Sequence, residues 1–247
     1  MKKQILIFVT AFVTVAFVSC SKEKIETEQP NTVEEIATGR IPDGPRVSGK
    51  GLLGRFEFNG DLKDATGKLA DAVSTVRRVN YTTDRFGQAG KSLYFSGAYG
   101  VDINDVPCTP DAASVSVWIK HDTLPNPGWL SPVYGNHGFI IQQNGPFFAA
   151  SYFTGLFGVP PTVFSSTATD KTWHHMAATR DNNELKFYID GVLIGTAPTP
   201  AGAGPYPALD KYLLGHAFDN YWKGAMDDLR FYSRVLSASE VNTLANN

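Results

Sequence analysis

Cysteine is nearly absent: the 247 residues hold only Cys20 and Cys108. Two cysteines cannot staple a disulfide scaffold or build a cysteine zinc site. A strong charge of either sign is also missing, with 22 Lys and Arg against 24 Asp and Glu and a formal net charge of -2. Proteins that grip nucleic acid through a basic surface need an excess of cations, so that class is excluded. Glutamate is scarce where a folded domain would sit. Of the chain's eight glutamates, only Glu57, Glu184 and Glu240 follow Lys50. No Gly-x-Ser-x-Gly elbow, phosphate loop or HExxH is present. Helix-length apolar stripes are few. What is plentiful is apolar and turn-forming: 43% hydrophobic residues, 12% aromatics, 23 Gly and 15 Pro. That apolar share excludes a wholly disordered chain. Many aromatics and turn residues without helical periodicity point to β structure. The length suits one large all-β domain or two small ones.

The first segment reads as an address. Met1-Lys2-Lys3 is basic, Ile5 to Val18 is apolar, and Ser19-Cys20 follows. The apolar run falls short of the roughly 20 residues that span a bilayer, and its length and flanks suit a secretory signal. Phe17-Val18-Ser19-Cys20 resembles the lipobox of bacterial lipoproteins, in which the cysteine is lipidated and becomes the first residue. Residues 1–19 are then a signal peptide and Cys20 the lipidated residue; an ordinary cleaved signal is the alternative. Lipidation of Cys20 leaves Cys108 without a partner, whereas a free Cys20 would allow a bridge between them.

Residues 20–50 form the tether. Five glutamates lie in it (Glu23, Glu26, Glu28, Glu34, Glu35), among Thr, Pro and Gly. Such a segment buries too little surface to offset its ordering entropy. Acidic residues soon after the cysteine resemble the surface-export signal of Bacteroidetes lipoproteins. The implied location is the outer membrane, facing the cell surface; a plain spacer is the alternative.

Residues 51–247 read as one β domain. Alternation places Leu93 and Phe95 on one face, and Val115, Val117 and Ile119 on one face with Trp118 on the other. Leu185, Phe187 and Ile189 alternate up to Asp190-Gly191, a two-residue hairpin signal. Ser237-Ala238-Ser239-Glu240 is a capping box that opens a terminal helix. Many short strands joined by turns predict an antiparallel two-sheet sandwich of jelly-roll type with a short C-terminal helix.

Five blocks then carry a resemblance, in order: LLGRFEFNGDLKDATG from Leu52, DRFGQAGKSLYFSG from Asp84, SVSVWIK from Ser114, WHHMAATRDNNELKFYIDGVLIG from Trp173, and GAMDDLRFYSRVLSASE from Gly224. Together they are similar to LamG-like jelly-roll domains of the concanavalin A-like lectin/glucanase fold. The resemblance implies two antiparallel sheets with the first and last strands adjacent. It leaves function open, because one fold carries many activities. Residues 121–170 match none of its blocks.

Hydrolases of this fold set Glu, Asp and Glu along one strand, and glycoside hydrolysis takes two carboxylates about 5–9.5 Å apart. No strand here holds that pattern. Asp102 and Asp105, at odd spacing, face opposite sides if extended. Adjacent His174 and His175 also face opposite sides and cannot share one metal. Period two puts Asp227 on the face of Leu229 and Phe231, and a carboxylate drawn toward a core needs a cation or several donors. Domains of this fold often bind structural Ca²⁺ where the terminal strands meet, with an aspartate at the place of Asp227. Asn59, Asp61 and Asp64 follow the first strand and are the candidate companions. A hydrogen-bonded Asp227, or one paired with Arg55 or Arg230, is the alternative.

Sugars present C–H faces that pack on aromatic rings and hydroxyls that need polar partners. The unmatched stretch holds Trp129, Tyr134, Phe139, Phe147, Phe148, Tyr152, Phe153 and Phe157, interleaved with Asn126, Gln142 and Asn144; Tyr206, Tyr221 and Trp222 follow. Aromatic surface with a few polar groups is how ligand sites are commonly lined. Trp129, Tyr134, Tyr152, Tyr221 and Trp222 are the candidate contacts, against the alternative that such rings are core. The expectation is a noncatalytic, lipid-anchored module whose partner is a glycan or a glycan-bearing molecule. The alternatives are an adhesion subunit that binds an envelope protein, or a hydrolase with an unfamiliar acidic pair.

Overall fold

Alternation after Lys50 becomes strands in a computed structural model, which describes residues 47–122, 129–153, 160–166, 169, 171–199 and 207–247. The leader, Cys20 and nearly all of the tether lie outside the described residues, as do Asn126, Phe157 and Tyr206. In chain order the strands are β1 (Leu52–Phe56), β2 (Val73–Ser74), β3 (Asn80–Thr82), β4 (Ser92–Ser96), β5 (Val101–Pro107) and β6 (Ala113–His121). Next come β7 (Leu130–Gly135), β8 (Phe139–Asn144), β9 (Phe147–Tyr152), β10 (Thr162–Phe164), β11 (His174–Arg180) and β12 (Glu184–Ile189). Then follow β13 (Val192–Pro198), β14 (Leu209–Leu214), β15 (His216–Ala217), β16 (Asn220–Tyr221) and β17 (Lys223–Tyr232), with one helix, α1 (Ala238–Ala245).

Two antiparallel sheets form the sandwich. One runs β13-β12-β11-β6-β17-β4-β3, with β1 paired to β17. The other runs β10-β9-β8-β7-β14-β5-β2, and β15 pairs with β16 in a small hairpin. The expected all-β fold is therefore present, with the first and last strands adjacent. Strands β7 to β10, more than half of the seven-stranded sheet, come from the stretch that matched no block of the resemblance.

The inner faces make the core. Val115, Val117 and Ile119 from β6 meet Phe95, Phe139, Ile141, Phe148 and Phe187 there. Each such side chain contributes about 1.5–3 kcal/mol when fully buried. Asp190 and Gly191 turn the β12–β13 hairpin with φ of 50° and 78°, the left-handed pair a two-residue loop demands. Ser237 and Glu240 form the reciprocal capping box. Val241 and Leu244 of α1 then cover Ala177, Tyr188 and Tyr232 on the outer face of the larger sheet. Among the described residues, no helix lies over the outer face of the seven-stranded sheet.

Candidate functional site

Register traces one row of side chains across that outer face. Thr162 pairs with Ser151, Ser151 with Ile140, Ile140 with Tyr134, Tyr134 with Leu213, and Leu213 with Asp102. Directly paired residues share a face. Their neighbours Val133, Ile141 and Leu214 point into the core, so this row points out. Two residues along, Phe164 pairs with Ala149 and Ala149 with Gln142, on the same face.

Aromatic rings stand on both flanks. Phe164 is 62% exposed and Trp129 39%, and their rings pack at 5.7 Å between centroids. Phe147, also exposed, pairs with Asn144 at the ends of β9 and β8. On the other flank the β15–β16 hairpin brings Phe218, 77% exposed, edge-on to Tyr134 at 5.6 Å. Tyr221, 40% exposed, stacks on His216 at 6.0 Å. His216 Nε2 lies 2.9 Å from an Asp102 oxygen, and Lys211 Nζ reaches the other Asp102 oxygen at 2.7 Å. Gly100 permits this hairpin position, because a Cβ there would lie 1.9 Å from the His216 ring. Polar groups between the flanks are the half-buried Gln142 amide and the linked Ser151 and Thr162 hydroxyls, 2.9 Å apart. Asp102 is the one carboxylate in the traced rows, and it is already engaged. The rows therefore lack the second acid that glycoside hydrolysis requires.

Three of the five expected ligand contacts, Trp129, Tyr134 and Tyr221, lie in this arrangement. The other two are corrected by their burial. Trp222 is 1% exposed, and its indole N–H donates to Gln143 Oε1 at 2.6 Å inside the core. Tyr152 is 2% exposed, edge-on to Phe139 and beneath the Arg180 guanidinium. Rings without accessible surface cannot stack on a ligand. Phe164 and Phe218 were not singled out from the sequence, although both are exposed on the outer face. Phe218 and Asp219 make the turn between β15 and β16, and the turn-forming Asp219 is the residue type that signals a loop tip.

The expected calcium residues are placed differently. Asp227 pairs with Trp118 and Arg230 with Ser116, so β17 spends three residues where β6 spends two. Asp228, with φ of 47°, is the extra residue of a β-bulge. The bulge reverses the phase: Leu229 and Phe231 face the core, whereas Asp227 faces outward beside Trp118. There its carboxylate meets the Arg85 guanidinium. Asp64 is filled by five donors. Its Oδ1 accepts from the Arg55 and Thr66 amides, and its Oδ2 from the Thr66 hydroxyl and the Lys68 and Leu69 amides, all at 2.7–3.1 Å. Burial pushes this carboxyl up, but those donors outweigh it and hold it below its usual value. The Asn59 amide donates to Glu57. Among the described residues, no three His, Cys, Asp or Glu side chains are grouped to hold a metal ion. These residues do not fit calcium, because guanidinium and N–H groups take the positions a cation would need. Accordingly, EDTA should leave the melting temperature unchanged, and added Ca²⁺ should not raise it; a calcium-dependent rise of several degrees would count against this assignment.

The outward carboxylates belong to a buried charge cluster. Asp228 accepts from Arg55 Nε at 2.8 Å and from Arg230 Nε and Nη2 at 2.9 and 2.6 Å. His175 is fully buried beside it, with Nε2 2.8 Å from the Ser116 hydroxyl and the Trp118 ring edge-on at 5.3 Å. His174 lies on the opposite face and reaches Asp190 Oδ2 at 2.7 Å through Nδ1. Cys108 is a half-buried free thiol, its pKa pushed up to about 11 by burial and by Asp210, which suppresses the reactive thiolate.

Comparisons with known proteins follow the same lines. Residues 95–242 match a family model described as the concanavalin A-like lectin/glucanases superfamily. Domain 4 of AbnA, a GH43 extracellular arabinanase from Geobacillus stearothermophilus solved with arabinotriose, is similar at 24% identity and a TM-score of 0.61. The similarity covers 78% of this chain and 98% of that one. A type C botulinum neurotoxin, whose cell entry is described as dependent on two ganglioside molecules, is similar at 15% identity and a TM-score of 0.63. A binding domain of botulinum neurotoxin DC solved with rat synaptotagmin II gives 15% and 0.61. Each neurotoxin match covers 79% of this chain and 51% of the other, so this chain spans about half of theirs. At these identities the likeness is one of fold. No curated protein matches the chain in sequence.

Proposed function

Because the chain belongs to the concanavalin A-like lectin/glucanases superfamily, we propose that it is a noncatalytic carbohydrate-binding module that uses the outer face of its seven-stranded sheet. The observation that carries this reading is the set of exposed rings on one face, with polar side chains between them and a single engaged carboxylate. Large exposed aromatic surface is costly to leave in water unless something covers it. Sugar C–H faces match rings, and the hydroxyls match the half-buried Gln142 amide. Arabinotriose in the arabinanase domain and gangliosides for the type C toxin show that relatives of this fold engage sugars.

In this reading Cys20 carries the lipid, residues 20–50 form the tether, and the module faces outward from the outer membrane. Lipid labelling that disappears in Cys20→Ser tests the anchor, and protease access on intact cells tests the orientation. For the module, Trp129→Ala and Phe164→Ala should each weaken glycan binding five- to tenfold, since a stacked ring contributes on the order of 1 kcal/mol. Their melting temperatures should stay near that of the parent, because both rings are exposed. Glycan arrays followed by calorimetry provide the measurement. Release of reducing ends from the bound glycan would instead indicate a hydrolase.

A further inference from the structure

We infer that the face takes an internal stretch of an uncharged polysaccharide rather than a single terminal sugar. This inference rests on the carbohydrate reading above. Its basis is that the rings form two platforms rather than one. Trp129, one residue before β7, and Phe164, on β10, make the first. Tyr134, Phe218 and Tyr221 make the second, over β7 and the β15–β16 hairpin. Phe164 lies three strand steps from Tyr134, about 14 Å, and Trp129 lies five residues before Tyr134, about 16 Å along an extended chain. One pyranose or furanose ring stacks on one platform and cannot reach the other. A chain of several residues can touch both.

Between the platforms, Gln142 gives a chain its polar contact. Ala149 and Ser151 beside it are closed to solvent, whereas the Gln142 side chain is half-buried. The Gln142 amide offers both a donor and an acceptor. Charge selects against acidic glycans. Lys211 and His216, the basic side chains of the traced rows and the adjoining hairpin, both lie against Asp102. A uronate or sulfate would therefore meet no uncommitted cation in these rows and would lose hydration without return.

The second platform engages a chain that the first already holds, so its contribution enters as an intramolecular event. Affinity should rise steeply at the length that spans both platforms and then level off. The test is calorimetry and array binding with the chain lacking only its leader. The probes are neutral glucan, xylan, arabinan, mannan and galactan series from monosaccharides to octasaccharides, beside uronate and sulfated chains of matched length. The expected result is a neutral series in which octasaccharides bind roughly tenfold or more tighter than disaccharides. Phe218→Ala should flatten that dependence, whereas Trp129→Ala should weaken every length. Monosaccharides that bind as tightly as octasaccharides, or a preference for charged chains, would overturn the inference while leaving carbohydrate binding intact. Binding to no member of any series would overturn both.

Discussion

Asp228→Asn should cost the fold about 3–5 kcal/mol, the loss seen when one partner leaves a buried ion cluster. Burial alone pushes the Asp228 carboxyl up, yet Arg230 and Arg55 hold it well below the usual carboxylate range. The same carboxylate holds the Arg230 guanidinium charged against its own burial. With the charge gone, Arg55, Arg85 and Arg230 would crowd a neutral amide. Asp227→Asn should cost far less at neutral pH. Burial raises the Asp227 carboxyl to about 6, and Arg85 only partly offsets that, so its charged form is poorly favoured. Urea denaturation of the two variants makes the comparison. Equal losses would show that the charge on Asp228 carries no more stability than the charge on Asp227.

Acid should destabilise the protein through His175. Burial, with Arg230 and Arg85 adding to it, pushes the imidazole down to about 3 from its ordinary 6.5, although Asp228 and Asp190 pull the other way. The unfolded chain takes up a proton near 6.5 that the folded chain refuses until about 3. Stability from this group is therefore complete above 6.5 and is lost as the pH falls through that window, by about 3 kcal/mol at pH 4. Asp227 has the opposite sign. Its folded carboxyl keeps a proton up to about 6, and the unfolded one releases it near 3.8, so it adds stability as the pH falls between those values. Removing each group in turn separates the two. The stability difference between the parent and His175→Gln should shrink by about 3 kcal/mol from pH 7 to pH 4. Asp227→Asn should change that difference in the reverse direction. A difference that stays constant with pH would mean that His175 takes up its proton as readily in the folded chain as in the unfolded one.

Much of the sandwich was legible because period two is a local signal. Strand β6, the Asp190-Gly191 hairpin and the Ser237 capping box are all set by residues within a few positions of one another. Asp227 was misread for the same reason. One extra residue, Asp228, in a left-handed conformation shifts the phase, and nothing in Met226-Asp227-Asp228-Leu229 announces it. Which aromatic rings face solvent was less legible, because a ring in an alternating strand reads alike on either face. Tyr152 and Phe164 both lie on strands near turns, yet register turns the first inward and the second outward. Trp222 follows an exposed turn, but the Gln143 side chain across the core gives its N–H a buried partner. That partner is 79 residues away and has no local trace.

Calorimetric titration of a neutral glycan chain selected on arrays, against the parent and the Trp129→Ala, Phe164→Ala double variant, bears most directly on the outer face of the seven-stranded sheet. The parent should bind and leave the glycan intact, and the double variant, still folded with an unchanged melting temperature, should lose at least roughly tenfold in affinity. Undiminished binding by the folded double variant, or cleavage of the glycan by the parent, would place the sugar site elsewhere or make the protein an enzyme.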